Sequence, residues 1–200
     1  PKYVLQIKEN LIKIKEDGTF RLDISFFKYH RGFRMTSKKF HKLFGSPPRK
    51  VSENLTQFHM DLAASIQVVT DEIVIKIAKT LRKETKIDNI CLAGGVALNC
   101  VSNGKLFKEK VFKDIWIQPA SGDAGSALGA ALVAWHEYLN KPRNEGIDDQ
   151  MKGTYLGCSF SNKEIVDYLN TINAPYNYLE DKELFIKLAN ILNEGKVIGW

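Results

Sequence analysis

Two stretches of this chain repeat one pattern, and that repeat constrains the fold more than any other feature. Residues 88–107 (DNICLAGGVALNCVSNGKLF) and 114–139 (DIWIQPASGDAGSALGAALVAWHEYL) each run from a short apolar segment through a glycine-rich turn into a helical pattern. Short apolar runs bounded by turn residues read as buried strands, here over residues 89–93 and 115–118, with helices over 96–107 and 125–139. Two βα units in succession imply an α/β fold with parallel strands joined by a right-handed crossover. In such sheets ligands sit at the carboxyl ends of the strands, where turns expose backbone N–H groups and helix N-termini.

The chain has 200 residues, 44% of them hydrophobic, enough for a packed core. Its formal charge of +6 comes from lysines spread among acidic neighbours such as Asp71, Glu72, Glu84 and Asp88. This reads as a solvated surface, and no nucleic-acid partner is expected, because no arginine-rich, aromatic-interleaved stripe accompanies the charge. Cys91, Cys100 and Cys158 form no CxxC pair, so neither a disulfide framework nor a zinc site is indicated and a cytoplasmic location is expected. No apolar run approaches the ~18 residues of a membrane span, no signal-peptide pattern opens the chain, and no membrane partner is expected. The sequence starts at Pro1 and stops at Trp200 within KVIGW, which reads as a strand just begun; a piece of a longer protein is expected.

Before the repeat, residues 3–27 alternate short apolar stretches with a turn at Glu16-Asp17-Gly18, which LIKIK and FRLDISFF flank like the strands of a hairpin. A basic segment, 28–51, holds a short helix near 37–43. Residues 56–84 form the longest helical pattern, with Leu62, Ile66, Val69, Ile73, Ile77 and Leu81 on one face and Asn54 or Thr56 as cap. After residue 140 a polar linker covers 141–153. Ser161 then caps a helix, and a further amphipathic helix covers 183–193.

The two turns carry the chemistry. Gly94-Gly95 permits positive φ and close backbone approach, so its N–H groups suit a phosphate; tight strand-to-helix packing explains the same glycines. The pattern is neither a Walker A loop, since Leu106 follows Lys105, nor a GxGxxG fingerprint. The second turn, Ser121 to Ser126, adds Gly122 and a carboxylate, Asp123. A bare aspartate repels phosphate, so the pairing makes sense if Asp123 binds a divalent cation or accepts a hydroxyl proton; N-capping of the next helix is the alternative. Asn99, one turn into the first helix, could face the same cleft or the core. His30, His41, His59 and His136 have no HxxxH or HExxH spacing, so they do not make a metal site.

At CLAGGVALNCVSNGKL and IWIQPASGDAGSALGAAL the chain resembles the carbamoyltransferase family of the nodulation-protein and antibiotic-biosynthesis type. The likeness extends to FRLDISFFKY, FRMTSKKFHKLFGSPPR, LTQFHMDLAASIQVV and YLGCSFSNKEI. The resemblance implies the second half of an actin-like domain (ASKHA, RNase H-like) over 1–140. Residues 154–200 would be a connecting segment and the start of a carbamoyl-adenylate-forming (YrdC-like) α/β domain. It implies that carbamoyl phosphate and ATP give carbamoyl-adenylate, whose carbamoyl group passes to a hydroxyl of a small-molecule acceptor such as a sugar, aminoglycoside or lipo-oligosaccharide. Gly94, Gly95, Asn99 and Gly122 are then nucleotide-binding, and Asp123 is a ligand of a divalent metal, iron or similar, completed by two histidines outside this chain. The chain alone is expected to be inactive and to self-associate as a homo-oligomer through the face its missing half would cover. A tRNA threonylcarbamoyl-transfer relative and a non-catalytic nucleotide-binding module of the same superfamily remain as other readings.

Overall fold

The computed structural model describes residues 1–143, 146, 149 and 151–200. They divide into two compact units, Pro1–Glu145 and Gly146–Trp200.

The first unit is built on α3 (Gln57–Thr85), a 29-residue helix. Thr56 caps it as expected, in a capping box whose return bond runs from the Thr56 N–H to His59 Nδ1 at 3.0 Å. The residues it buries are Ser65, Val69, Asp71 and Ala78, while Ile66 and Leu81 of the expected apolar stripe are exposed. The buried face is thus rotated from the stripe and carries two polar side chains. Both are satisfied: Ser65 Oγ accepts from the Tyr3 N–H at 2.9 Å and donates to the Asp61 carbonyl at 2.6 Å, and Asp71 has several partners described below.

Two cores lie along α3. Towards its start it packs with α1 (Val4–Asn10), the hairpin β1 (Ile12–Ile14) and β2 (Phe20–Leu22), and α2 (Lys38–Phe44), around Ile7, Leu11, Ile12, Phe26, Phe44 and Val69. The hairpin forms at the expected turn, antiparallel with Ile12 opposite Leu22 and Ile14 opposite Phe20, but its second strand stops at Leu22: Asp23 Oδ1 accepts from the Ser25 N–H at 2.9 Å and starts a 3-10 turn, Ile24–Phe26, where FRLDISFF reads as one strand. Gly18 in its turn has φ +85° and lies so close to α3 that a Cβ would come within 2.5 Å of the Ile77 nitrogen, so only glycine fits. Helix α1 precedes the hairpin, where no helix is expected. Val4, Ile7 and Leu11 fall at three- and four-residue steps, a helical spacing that burial of Ile7 and Leu11 satisfies. Ser37 caps α2, and Gly45 ends it in the left-handed region.

The second core joins the later half of α3 to β3 (Asn89–Leu92), α4 (Cys100–Lys108) and β4 (Asp114–Ile117) around Ala78, Leu106 and Phe112. The strands pair in parallel, Ile90 beside Ile115 and Leu92 beside Ile117, as the repeat predicts. They are not fully buried, contrary to the sequence expectation. Ile90, Leu92 and Ile115 pack on the core, whereas Cys91 and Trp116 on the other face are exposed, because only one face is covered among the described residues. Helix α5 (Asp123–Val133) follows β4, begins two residues earlier than expected, and passes into a wider π turn, Ala134–Tyr138.

The second unit contains α6 (Asn162–Thr171) and α7 (Asp181–Asn193). Ser161 caps α6 in a box with Glu164, whose carboxylate accepts from the Ser161 N–H at 2.7 Å. Residues 196–200, read as a strand from their apolar run, form none: a strand needs a ladder partner, and this unit has no described strand to supply one. Within the expected linker, Asn144, Glu145, Ile147, Asp148 and Gln150 lie outside the described residues. No helix among the described residues is long and apolar enough to cross a membrane.

Candidate functional site

The parallel ladder ends with the Gln118 N–H donating to the Leu92 carbonyl at 3.0 Å. Beyond that bond both chains turn at the same edge of the pair. Gly94 has φ +96° and ψ 163°, a conformation essentially confined to glycine, and its carbonyl accepts from Ala97 N–H at 2.9 Å to close a 3-10 turn, Gly95–Leu98. A Cβ placed on Gly94, Gly95 or Gly122 meets no described heavy atom within 4 Å. Packing among the described residues therefore does not require glycine at 95 or 122, and these residues leave the space at both glycines open. Gly125 differs: a Cβ there would run into the Ala120 carbonyl oxygen, so it is a packing glycine that lets α5 start against its own turn.

The expected helix over 96–107 is interrupted. Asn99 adopts extended backbone (φ −74°, ψ 93°) and caps α4, its Oδ1 accepting from the Ser102 N–H at 3.1 Å. It therefore stands at the joint between the 3-10 turn and α4 rather than one turn inside a helix. Asn103 Nδ2 donates to the Ala97 carbonyl at 2.7 Å and secures the same joint from the helix side.

Behind this joint lies a polar cluster around Asp71, a residue expected on the solvated surface. Asp71 on α3 is only 4% exposed. Its Oδ1 accepts from Ser102 Oγ at 2.6 Å and Gln67 Nε2 at 2.7 Å, and its Oδ2 pairs with the Lys105 ammonium. Burial pushes the Asp71 carboxyl up, but hydrogen bonds from Lys105, Ser102 and Gln67 outweigh it and hold the group below its ordinary value. A carboxyl lowered in the folded state stabilises the fold fully above its unfolded value of about 4, and this contribution is lost as pH falls through the folded value. Urea unfolding is thus expected to show a gap between wild type and Asp71→Asn that is constant above about pH 5 and closes below about pH 4; a gap independent of pH would contradict it. Gln67 and Asp71, spaced i,i+4 within an otherwise apolar face, were the available sequence signal.

Asp123 is the first residue of α5, exposed, and makes no hydrogen bond to the described residues; the cap position belongs to Gly122. Its carboxylate has no hydrogen-bond partner among the described residues and stands in the second of the two turns. No cluster of three His, Cys, Asp or Glu among the described residues could hold a metal ion. The histidines are otherwise engaged: His41 with Thr36 Oγ1 at 2.9 Å, His59 in the α3 cap, His136 with the Lys141 carbonyl at 3.0 Å, and His30 against the Tyr29 ring.

Residues 3–132 match the family model for the carbamoyltransferase N-terminus. The uncharacterized protein sll1178 of Synechocystis sp. is 53% identical over 202 residues, covering 100% of this chain and 33% of that protein. Nodulation protein NolO of Bradyrhizobium diazoefficiens is 36% identical over 153 residues, 76% of this chain and 27% of the relative. Nodulation protein NolNO of Sinorhizobium fredii is 35% identical over 152 residues, 76% and 22% respectively. The chain spans a third or less of the length of these curated relatives. The resemblance drawn from the two turn motifs and this family match coincide, and the chain belongs to the carbamoyltransferase family, through its N-terminus domain.

Proposed function

We propose that this chain is the nucleotide-binding part of an ATP-dependent O-carbamoyltransferase that moves a carbamoyl group from carbamoyl phosphate, through carbamoyl-adenylate, to a hydroxyl of a small-molecule acceptor. One observation carries the reading: two glycine-bearing turns leave the same edge of a parallel pair, open above Gly94, Gly95 and Gly122, with an unpartnered carboxylate at Asp123. Backbone N–H groups of the first turn and the start of α5 would hold phosphate oxygens, and Asn99 would add a side-chain amide. Asp123 is the one carboxylate this chain would give a divalent metal whose remaining ligands come from outside it. The two βα units suit the actin-like superfamily, and that assignment is part of the same proposal.

In the first stage water cleaves carbamoyl phosphate, inorganic phosphate leaves, and an oxygen of the resulting carbamate attacks the α-phosphorus of ATP as pyrophosphate leaves. In the second the acceptor oxygen attacks the carbamoyl carbon, AMP leaves, and the hydroxyl proton is released. The native protein, as its gene encodes it, is expected to release pyrophosphate from ATP only when carbamoyl phosphate is present, and to place labelled carbamoyl on a hydroxyl acceptor when one is supplied. Absence of carbamoyl-phosphate-dependent pyrophosphate release would overturn the proposal. Stimulation by tRNA in place of a small acceptor would favour a threonylcarbamoyl-transfer relative.

A further inference from the structure

Asn99 is useful to a ligand only if its amide presents a known atom to it, and a carboxamide can flip at little cost unless its neighbours forbid it. Here they do. Asp71 is buried and ionised, so both its oxygens only accept. The 2.7 Å contact from Gln67 must therefore come from Nε2, which fixes the flip of Gln67 and turns its Oε1 towards Asn99. That oxygen accepts from Asn99 Nδ2 at 3.0 Å, which fixes the flip of Asn99 in turn. Asn99 Oδ1 is then committed to the Ser102 N–H at 3.1 Å, where the helix cap requires an acceptor, and lies 3.2 Å from Gln67 Nε2. Gln67 Nε2 also lies 3.1 Å from Ser102 Oγ, which is free to accept because its own hydrogen goes to Asp71. The flips of both amides thus have one consistent assignment, with the second Nε2 hydrogen of Gln67 in reach of both Asn99 Oδ1 and Ser102 Oγ, and the second Nδ2 hydrogen of Asn99 is left without a protein partner among the described residues.

We infer that Gln67 is a positioning residue of the nucleotide site: held by Asp71, it locks the Asn99 amide so that an N–H, never the oxygen, is offered to the ligand. The ligand atom selected is accordingly an acceptor, a phosphate or ribose oxygen rather than a donor. The inference rests on the proposal that Asn99 contacts ATP, and it assigns to α3 a part in the site that none of the turn motifs contains.

The test is a double-mutant cycle on the native protein, with ATP affinity measured by calorimetry well below each variant's melting temperature. Gln67→Ala and Asn99→Ala are each expected to weaken ATP binding about tenfold, and the double variant no more than Asn99→Ala alone, because Gln67 acts only through Asn99. Gln67→Met, similar in volume but without hydrogen bonds, keeps the packing and is expected to show the same loss as Gln67→Ala. A purely structural Gln67 would lower the melting temperature and leave ATP affinity unchanged; that result, or additive losses in the double variant, overturns the inference. Wild-type affinity in Asn99→Ala overturns the contact on which it rests. Failure of the wild-type protein to bind ATP instead overturns the proposed function, and the inference with it.

Discussion

Gly95→Val is expected to abolish measurable ATP binding by the native protein while changing its melting temperature by only a few degrees. The two halves of this result have separate causes. A Cβ at Gly95 meets no described atom within 4 Å, so the described residues leave room for a side chain there. A phosphate seated on the turn does not: a β-branched residue fills the path by which it would reach the backbone N–H groups. Gly94→Ala is the contrasting control, since φ +96° places any side chain in a strained backbone region at a cost of about 1–3 kcal/mol and the fold itself suffers. Wild-type ATP affinity in Gly95→Val, measured by calorimetry, would return Gly95 to a role within the fold.

Asp123→Ala is expected to lower carbamoyl transfer by about a thousandfold or more, which corresponds to roughly 4 kcal/mol of barrier. The fold should survive. Asp123 is exposed, makes no hydrogen bond to the described residues and is not the cap of α5, so its removal forfeits only the favourable placing of a negative charge at a helix start, about 0.3–1 kcal/mol. If the two turns hold phosphate, as proposed, a carboxylate beside them requires a cation to offset its repulsion, and loss of that carboxylate should lower the divalent-metal content of the native protein together with its activity. Unchanged transfer with unchanged metal content in Asp123→Ala would remove the assignment.

The elements that read clearly from sequence are those whose signal is local. Thr56 and Ser161 announce helix starts through side chains that bond only a few residues away, and the Gly18 turn is specified by its neighbours. The strands β3 and β4 were legible as strands because their apolar runs sit between turn residues. Their exposure was not, since burial depends on what covers each face. Helix α1 was hidden by a strand reading of the residues around it, although Ile7 and Leu11 keep a helical interval. At the candidate site, Gly94, Gly95, Gly122 and Asp123 are proposed from motif, and the structure places Gly94 and Gly95 in the turn after β3 and Gly122 and Asp123 at the start of α5. Gln67 and Asp71 were missed because their meaning comes from Ser102 and Lys105, more than thirty residues away in the chain, where only the packing of α4 on α3 joins them. Asn99 was found, but its place as a cap was not, because a cap and a first-turn residue differ by a backbone angle that its flanking residues leave open.

Hydrogen exchange followed by mass spectrometry on the native protein, with and without ATP, tests most directly whether the edge of the β3–β4 pair is the nucleotide site. ATP is expected to slow exchange of the backbone amides in peptides covering 94–99 and 121–126, the two turns with open space above their glycines. Protection by ATP elsewhere in the protein, with both turns exchanging as fast as before, would contradict the account.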